Sequence, residues 1–556
     1  MSAGASSIGS VIAPARMVAS VEAEEARWTL RTVKLLVALL AVRLTYVALR
    51  PFELVPDEAY YWDWSRLLDW GYYSKPPMVA WLIAASTSLV GNSETGVRLP
   101  ATILGTLGLL PLFGLTRAMF SARAGFWAVA AAASTPGLTV LATLMTIDAP
   151  FLCAWTFAVW SVWKMVESPQ PRWQWVAVAT IATGLGLLSK QTMLGLPVLV
   201  AVFLLTDSSR RNRLWSKAFL VWLIGSLMFL VPVILWNARH DWVTVEHTRE
   251  HFGAASVSLA HRGTWFAEYL AGQMGVLSPI LGVLMVAVAI GGTLCWTRLR
   301  ASERFLLILG PLPWLPVAGL ALMQRVQPNW PAAFHVTGLI LLAGWCTGDG
   351  FPWRRDRTAH DERWFRGGVL LGGMLSLMVL LVPAIVPRTP LAGTSIDPTT
   401  RLRGWDSLAG QLDELARTSG DPDCLYICAT SRGPVSEFAY YLPMQPRVYR
   451  WNVGEVIDSQ HDIWDGPRPG ERSRALLVTP ADHTVPDKLA GSFQSLAPLG
   501  RISCRLGRNR DLEFDVWEGR GFTAWPVSAA RQELAARTRK MMGSNQLTAG
   551  QLPLRN

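Results

Sequence analysis

Of 556 residues, 51% are hydrophobic and only 16% charged, with a mean hydropathy of +0.27. This balance excludes an ordinary soluble enzyme of this length and points to a chain that crosses a membrane many times. The net charge of +11 would suit nucleic acid, but multispanning proteins concentrate lysine and arginine in cytoplasmic loops, so the distribution decides.

Residues 1–30 lack a compact apolar core followed by a small-residue cleavage site, and read as a mobile cytoplasmic N-terminus without a cleavable signal peptide. Residues 31–388 carry apolar stretches of the length a bilayer demands, beginning at Lys34, Arg98, Gly125, Ala149, Trp173, Gln191, Ala218, Phe266, Phe305, Pro331 and Gly368, or about eleven crossings. The segment from Met78 to Val90 is apolar but short and reads as an interfacial helix. "KPP" before it holds Lys75 extended, and Pro77 suits a first helical turn. The 27 tryptophans fit interfacial anchors.

Alternate loops separate by charge. "TRAMFSARAG", "TDSSRRNRLWSK", "TRLRASER" and "GFPWRRDRTAHDERWFRG" are rich in arginine and are expected in the cytoplasm. The opposite loops hold "PDEAYYWDWSRLLDWGYYSKPPM", the end of "TLMTID", "LLSKQ", "WNARHDWVTVEHTREHFG" and "QRVQPNWPA". The chemically suggestive residues of the membrane part thus gather on the extracytoplasmic face. Beyond the last span, "CLYICAT", "RVYRW" and "RALLVTP" read as strands and "WDSLAGQLDELART" as an amphipathic helix, which predicts a small α/β domain over 389–526 on that same face. Residues 527–556 read as a mobile tail. The six cysteines suit neither a metal cluster nor a disulfide framework; Cys424, Cys428 and Cys504 lie in the polar tail, where one disulfide is an option.

Each candidate residue has a plain alternative. Asp57, at the outer end of the first span beside Tyr60, Tyr61 and Trp62, can take a proton from an attacking hydroxyl, or simply cap a helix. Glu58 and Tyr60 stand next to it as substrate contacts, although adjacent side chains diverge and would not meet one small ligand equally. Lys75 can hold a lipid phosphate or snorkel toward headgroups. Asp148 in "MTIDAPF" is an ionisable group beside hydrocarbon, or a helix N-cap. Lys190 lies outside against the usual lysine bias, which favours an anion site. His247 and His251 share a helix face, a weak metal signal without a third ligand. Arg249 between them offers a fork for phosphate. Asn329 and Trp330 can bind sugar hydroxyls and a ring face, or belong to an aromatic belt.

Taken in order, "PDEAYYW", "SKPPMVAWL", "MTIDAPF", "LLSKQ" and "QPNWPA" resemble the bacterial GT-C glycosyltransferases related to protein O-mannosyltransferases and to the lipid A aminoarabinose transferase, over roughly residues 30–390. The resemblance implies a polytopic GT-C-type helical bundle, a membrane all-α fold carrying the small α/β domain. It also implies transfer of a sugar from a polyprenyl phosphate, usually with inversion. By it Asp57 matches the catalytic base, Lys75 the lysine on the donor phosphate, Asp148 a second acid of the site, and Lys190, more loosely, a lysine after the fifth span. Ser74 stands where the aminoarabinose enzymes have an acid, which weakens the case for a divalent metal there. The reading that follows is an inner-membrane transferase with its site and tail domain in the periplasm, using no nucleotide cofactor: neither GxxxxGK[ST] nor a Rossmann fingerprint occurs. Lys75, with Lys190 or Arg249, would bind the donor phosphate, and Glu58, Tyr60, Asp148, His247, Asn329 and Trp330 the sugar or acceptor. Expected partners are the polyprenyl-phosphate donor, an envelope glycolipid (lipid A among them) or protein acceptor, and membrane lipids, with no nucleic acid. The rival readings are a flippase for a lipid-linked sugar, which would use the same cavity without chemistry, and a sensor built on the tail domain.

Overall fold

The computed structural model describes residues 7–170, 172–251, 258–353, 359–420, 425–452, 456–468, 472, 474–508, 510–525 and 536. Helices α1 (Ser7–Ala48), α2 (Pro56–Ser65) and α3 (Met78–Val90) lead into α4 (Glu94–Leu107) and α5 (Leu109–Met119), which together form one apolar segment of 26 residues. Next come α6 (Ala122–Ser134), α7 (Pro136–Leu141), α8 (Asp148–Glu167), α9 (Trp173–Ser189) and α10 (Gly195–Thr206). Then follow α11 (Lys217–Leu227), α12 (Val231–Arg239), α13 (Val243–His251), α14 (Leu259–Leu277) and α15 (Pro279–Leu294). Helices α16 (Ala301–Leu309), α17 (Trp314–Ala321), α18 (Ala332–Gly344) and α19 (Ala359–Ile385) complete the bundle.

Among the described residues five segments are long and apolar enough to cross a bilayer: Glu94–Met119, Asp148–Glu167, Lys217–Arg239, Ala301–Ala321 and Ala359–Arg388. Twenty residues at 1.5 Å each match a hydrocarbon core about 30 Å thick. Three expectations need correction here. The span expected from Phe266 is a pair of arms, 260–277 and 279–294, bent by 111° at Ser278, whose φ of 87° no helix can hold. The N-terminal stretch through residue 30 is not a separate mobile piece from Ser7 onward, because α1 runs unbroken to Ala48 and Glu25 accepts from Arg117 Nε at 3.1 Å and from the Ala122 N–H at 2.9 Å. The span expected from Gly125 is broken between α6 and α7, where Pro136 holds Thr135 extended (φ −75°, ψ 132°). The expected count of eleven needs α1, the bent α14 and α15 pair, the α6 and α7 pair and three of the shorter apolar helices to cross as well.

The two ends of the bundle differ in chemistry. Arg117 reaches Glu25, Arg123 reaches Glu362, and the guanidiniums of Arg300 and Arg366 lie over Phe120 and Trp127, so the arginine-rich turns share one end. Asp148 begins α8 and Lys164 closes it, so 20 residues of helix separate Asp148 from the other end.

The tail domain begins with α20 (Trp405–Ser419), then β1 (Leu425–Ala429), α21 (Arg432–Tyr441), β2 (Val448–Arg450), β3 (Arg474–Pro480), a short α22 (Asp487–Ala490), β4 (Ser495–Gly507) and β5 (Arg510–Arg520). Its sheet has the order β2-β1-β3-β5-β4, with β1 parallel to β2 and β3, and β5 antiparallel to β3 and β4. The three expected strands form; the β4–β5 hairpin is additional. The domain packs on the bundle through α2, and Tyr60, Trp62 and Trp64 share a core with Trp405, Leu408 and Phe438. Cys428 and Cys504 are free thiols, and Cys424 lies outside the described residues.

Candidate active site at the end of the bundle

Helix α2 starts where its sequence allows it to. Val55 is extended (φ −79°, ψ 153°), Pro56 opens the first turn, and two acids follow at the positive end of the helix dipole. The two carboxylates part company at once. Glu58 is fully buried and accepts the Val55 N–H (3.2 Å), the Met145 N–H (2.9 Å) and three N–H bonds from Arg98 (2.7–3.1 Å). Arg98 also donates to the carbonyls of Phe52 and Glu53. Glu58 is therefore corrected from a substrate contact to a girder that ties α2, α4 and the turn before α8 together. Asp57, one residue earlier and about 100° round the helix, keeps 53% of its side chain exposed.

Asp57 Oδ1 accepts from Arg432 Nη2 at 3.0 Å, a contact between residues 375 apart in sequence. Arg432 opens α21 of the tail domain and stacks its guanidinium over Tyr60 at 4.8 Å. Tyr60 is 1% exposed and its hydroxyl receives the Gln460 N–H at 2.5 Å. Gln460 Oε1 in turn accepts the Tyr73 N–H at 2.7 Å. Tyr60 is thus an anchor between domains and not an open substrate contact, a second correction. His461 adds a bond to Asp63 at 2.9 Å in the same seam. The tail domain builds one wall of the site.

The other wall comes from the spans. Asp148, the first residue of α8 and 3% exposed, accepts Lys190 Nζ on Oδ1 at 2.7 Å and Asn329 Nδ2 on Oδ2 at 2.9 Å. Lys190 reaches it because the chain turns extended just after α9 (φ −153°, ψ 132°). Its ammonium also lies 5.6 Å from the Phe151 ring. Three residues expected separately are one cluster.

Lys75 completes the picture. It lies within electrostatic reach of Lys190, Asp148, Asp57 and Arg432, and its ammonium has no hydrogen-bond partner among the described residues. Burial first, then the Lys190 charge, hold its pKa below the usual lysine value of 10.5. Tyr61, buried and within the fields of Asp57, Arg432 and Asp148, forms the floor between the walls, and burial raises its phenol well above the ordinary range. Each acid here is matched by a cation, and Lys75 is left over.

The remaining expected residues fall outside this cluster. Arg249 is 77% exposed and pairs with Glu246 of its own helix at 2.6 Å, so it is not part of the buried charge group. His247 packs its ring 4.7 Å from that of Tyr73. Trp330, next to Asn329, packs against the cluster of Tyr269, Ala321 and Val326. Among the described residues no three His, Cys, Asp or Glu side chains converge to hold a metal. Arg432 was not foreseen, and no local signal in "TSRGPVSEF" marks it.

Residues 74–236 match the dolichyl-phosphate-mannose-protein mannosyltransferase family. The chain is 28% identical over 294 residues to the lipid A galacturonosyltransferase RgtD of Rhizobium johnstonii, an alignment covering 51% of this chain and 59% of that protein. To the lipopolysaccharide core galacturonosyltransferase RgtA of the same organism it is 24% identical over 437 residues, covering 66% and 85%. In fold it is similar to ArnT from Cupriavidus metallidurans bound to undecaprenyl phosphate, with a TM-score of 0.59 at 16% identity over 89% of this chain and 99% of that one.

Proposed function

We propose that this chain, a member of the GT-C superfamily of protein O-mannosyltransferases and lipid A aminoarabinose transferases, is an inverting glycosyltransferase. It moves a sugar from a polyprenyl phosphate to an envelope acceptor at the periplasmic face of the inner membrane. The observation that carries this reading is an asymmetry between two acids. Both oxygens of Asp148 are occupied, by Lys190 and Asn329, whereas among the described residues Asp57 keeps one oxygen without a partner and is half exposed. Asp57 is therefore the base: it takes the proton of the acceptor hydroxyl as that oxygen attacks the anomeric carbon. The bond from that carbon to the phosphate oxygen breaks, and the charge collects on the lipid phosphate. Lys75, free and partly desolvated, meets that charge. Asp148 holds Lys190 and Asn329 in place against the donor.

The two relatives named as galacturonosyltransferases support a uronic acid as the sugar and a lipopolysaccharide lipid as the acceptor. Arg432 spends one N–H on Asp57 and is the group that would meet a sugar carboxylate. The test is transfer from synthetic polyprenyl-phosphate sugars by purified protein, followed by mass spectrometry of the product. Lipid movement across vesicles without a transferred sugar would favour the flippase.

Replacing Lys75 by methionine is expected to lower kcat/KM for the donor about a hundredfold. The wild-type pH profile carries a linked signature. A lysine with a lowered pKa is charged below that pKa and loses its proton as pH rises through it. The alkaline fall of kcat/KM, which reports the free enzyme, should thus begin below pH 10.5 and vanish in the Lys75→Met background. A profile that is the same in both proteins would remove Lys75 from donor binding.

Besides offering its other N–H groups to the sugar, Arg432 positions Asp57. Arg432→Gln should lower kcat about tenfold and Arg432→Lys should recover part of it, since an ammonium can still reach one carboxylate oxygen. Full activity in the glutamine variant would reduce the contact to an exposed ion pair of little worth.

A further inference from the structure

Gln460 is 2% exposed and opens a short 3₁₀ turn, Gln460–Asp462, between β2 and β3 of the tail domain. The turn is braced from within. The Asp462 carboxylate accepts the N–H groups of Asp458 at 3.1 Å and Ser459 at 3.0 Å, together with an N–H of Arg450. The Gln460 carbonyl takes the N–H groups of Ile463 and Trp464 at 3.0 and 3.2 Å.

From this turn Gln460 holds the bundle in two places. Its main-chain N–H meets the Tyr60 hydroxyl, and its side-chain Oε1 takes the Tyr73 N–H. Tyr60 stands three residues after Asp57 in α2, on one face with it. Tyr73 stands two residues before Lys75, in a turn closed by the Tyr72 N–H on the Lys75 carbonyl at 3.2 Å. Thr244 of α13 donates to the Tyr72 carbonyl at 3.0 Å, and the Tyr73 ring packs with Trp236, Val243 and Ile463. Pro76 and Pro77 follow and have no N–H to offer, so Lys75 is placed by the bonds that precede it. One residue of the tail domain therefore joins the helix that carries the acid to the turn that carries the lysine.

We propose that Gln460 is a positioning residue, which sets the separation of Asp57 from Lys75 and with it the fit of the sugar donor. The inference rests on the reading of Asp57 as the base and Lys75 as the phosphate contact. In such a donor the phosphorus and the anomeric carbon are joined through one oxygen, so the ligand cannot stretch to follow a misplaced lysine. An amide suits the position. Its neutral oxygen accepts the Tyr73 N–H without adding a third anion to a seam where Asp63 and Asp462 are already buried.

The test compares the full-length wild type with Gln460→Leu, which removes the acceptor, and Gln460→Glu, which keeps an oxygen at the same reach. Two quantities are measured: transfer from a synthetic polyprenyl-phosphate sugar, and the pH midpoint of Lys75 acylation, followed by peptide mass spectrometry, which needs no turnover. Gln460→Leu should lower kcat/KM for the donor about tenfold. It should also move the Lys75 midpoint up toward 10.5, as the turn loosens and water reaches the ammonium. Gln460→Glu should recover most of the transfer. Melting temperatures accompany each variant, and if Gln460→Leu does not fold, Gln460→Ala takes its place. A folded variant without the acceptor whose Lys75 midpoint is that of wild type overturns the proposal, whatever its activity. A moved midpoint with undiminished transfer supports the placement of Lys75 by Gln460 and counts against the role of Lys75 in transfer.

Discussion

Replacing Asp57 by asparagine is expected to reduce sugar transfer by about three orders of magnitude while the protein melts as before. The amide has the shape of the carboxylate and can still accept the Arg432 bond on its oxygen, so the wall built by the tail domain stays in place. What it cannot do is take a proton. The side chain is 53% exposed, so the ion pair with Arg432 that is weakened contributes little to folding. Donor binding should be nearly unchanged, because in the proposed arrangement Lys75 and not Asp57 meets the phosphate, and the loss should fall on kcat. An asparagine enzyme within about tenfold of wild type would mean that the proton goes elsewhere. Asp148 would not be the obvious substitute, since Lys190 and Asn329 already occupy both of its oxygens.

The sequence made the gathering of charge at one end legible because membranes punish ionisable groups elsewhere. Asp148, Lys190 and Asn329 each interrupt an apolar run, and helices of similar length that alternate in direction bring such interruptions to a common level. Their contacts at 2.7 and 2.9 Å follow from that constraint, although their pairing does not. The division of labour between Asp57 and Glu58 was not legible. Adjacency on a helix says that the two diverge, but which one faces Arg98 depends on how α2 is rotated against α4. Tyr60 and Arg432 were hidden for a different reason: their surroundings come from residues some 375 to 400 positions away. The bend at Ser278 escaped because hydropathy measures length and apolarity, and both arms have these. The β4–β5 hairpin escaped because β4 is mostly exposed and lacks a continuous apolar alternation.

The second large effect lies one residue along the chain and has the opposite signature. Glu58→Gln should destabilise the protein by about 3–5 kcal/mol, seen as a lower melting temperature in detergent and reduced yield. Arg98 is 1% exposed, and the neutral amide leaves its charge buried with no counter-charge, met only by the Phe52 and Glu53 carbonyls and one amide oxygen. The amide group also cannot accept on both sides, so at least one of the Val55 and Met145 N–H groups loses its acceptor. Removing both charges at once, as Glu58→Leu with Arg98→Met, should cost less than Glu58→Gln alone, because no orphan charge remains. Activity will fall in each case, and activity alone would misread Glu58 as a second catalytic acid. The separation is in the thermal data: a Glu58→Gln protein that melts with wild type yet transfers no sugar would show that the carboxylate serves chemistry and not the fold.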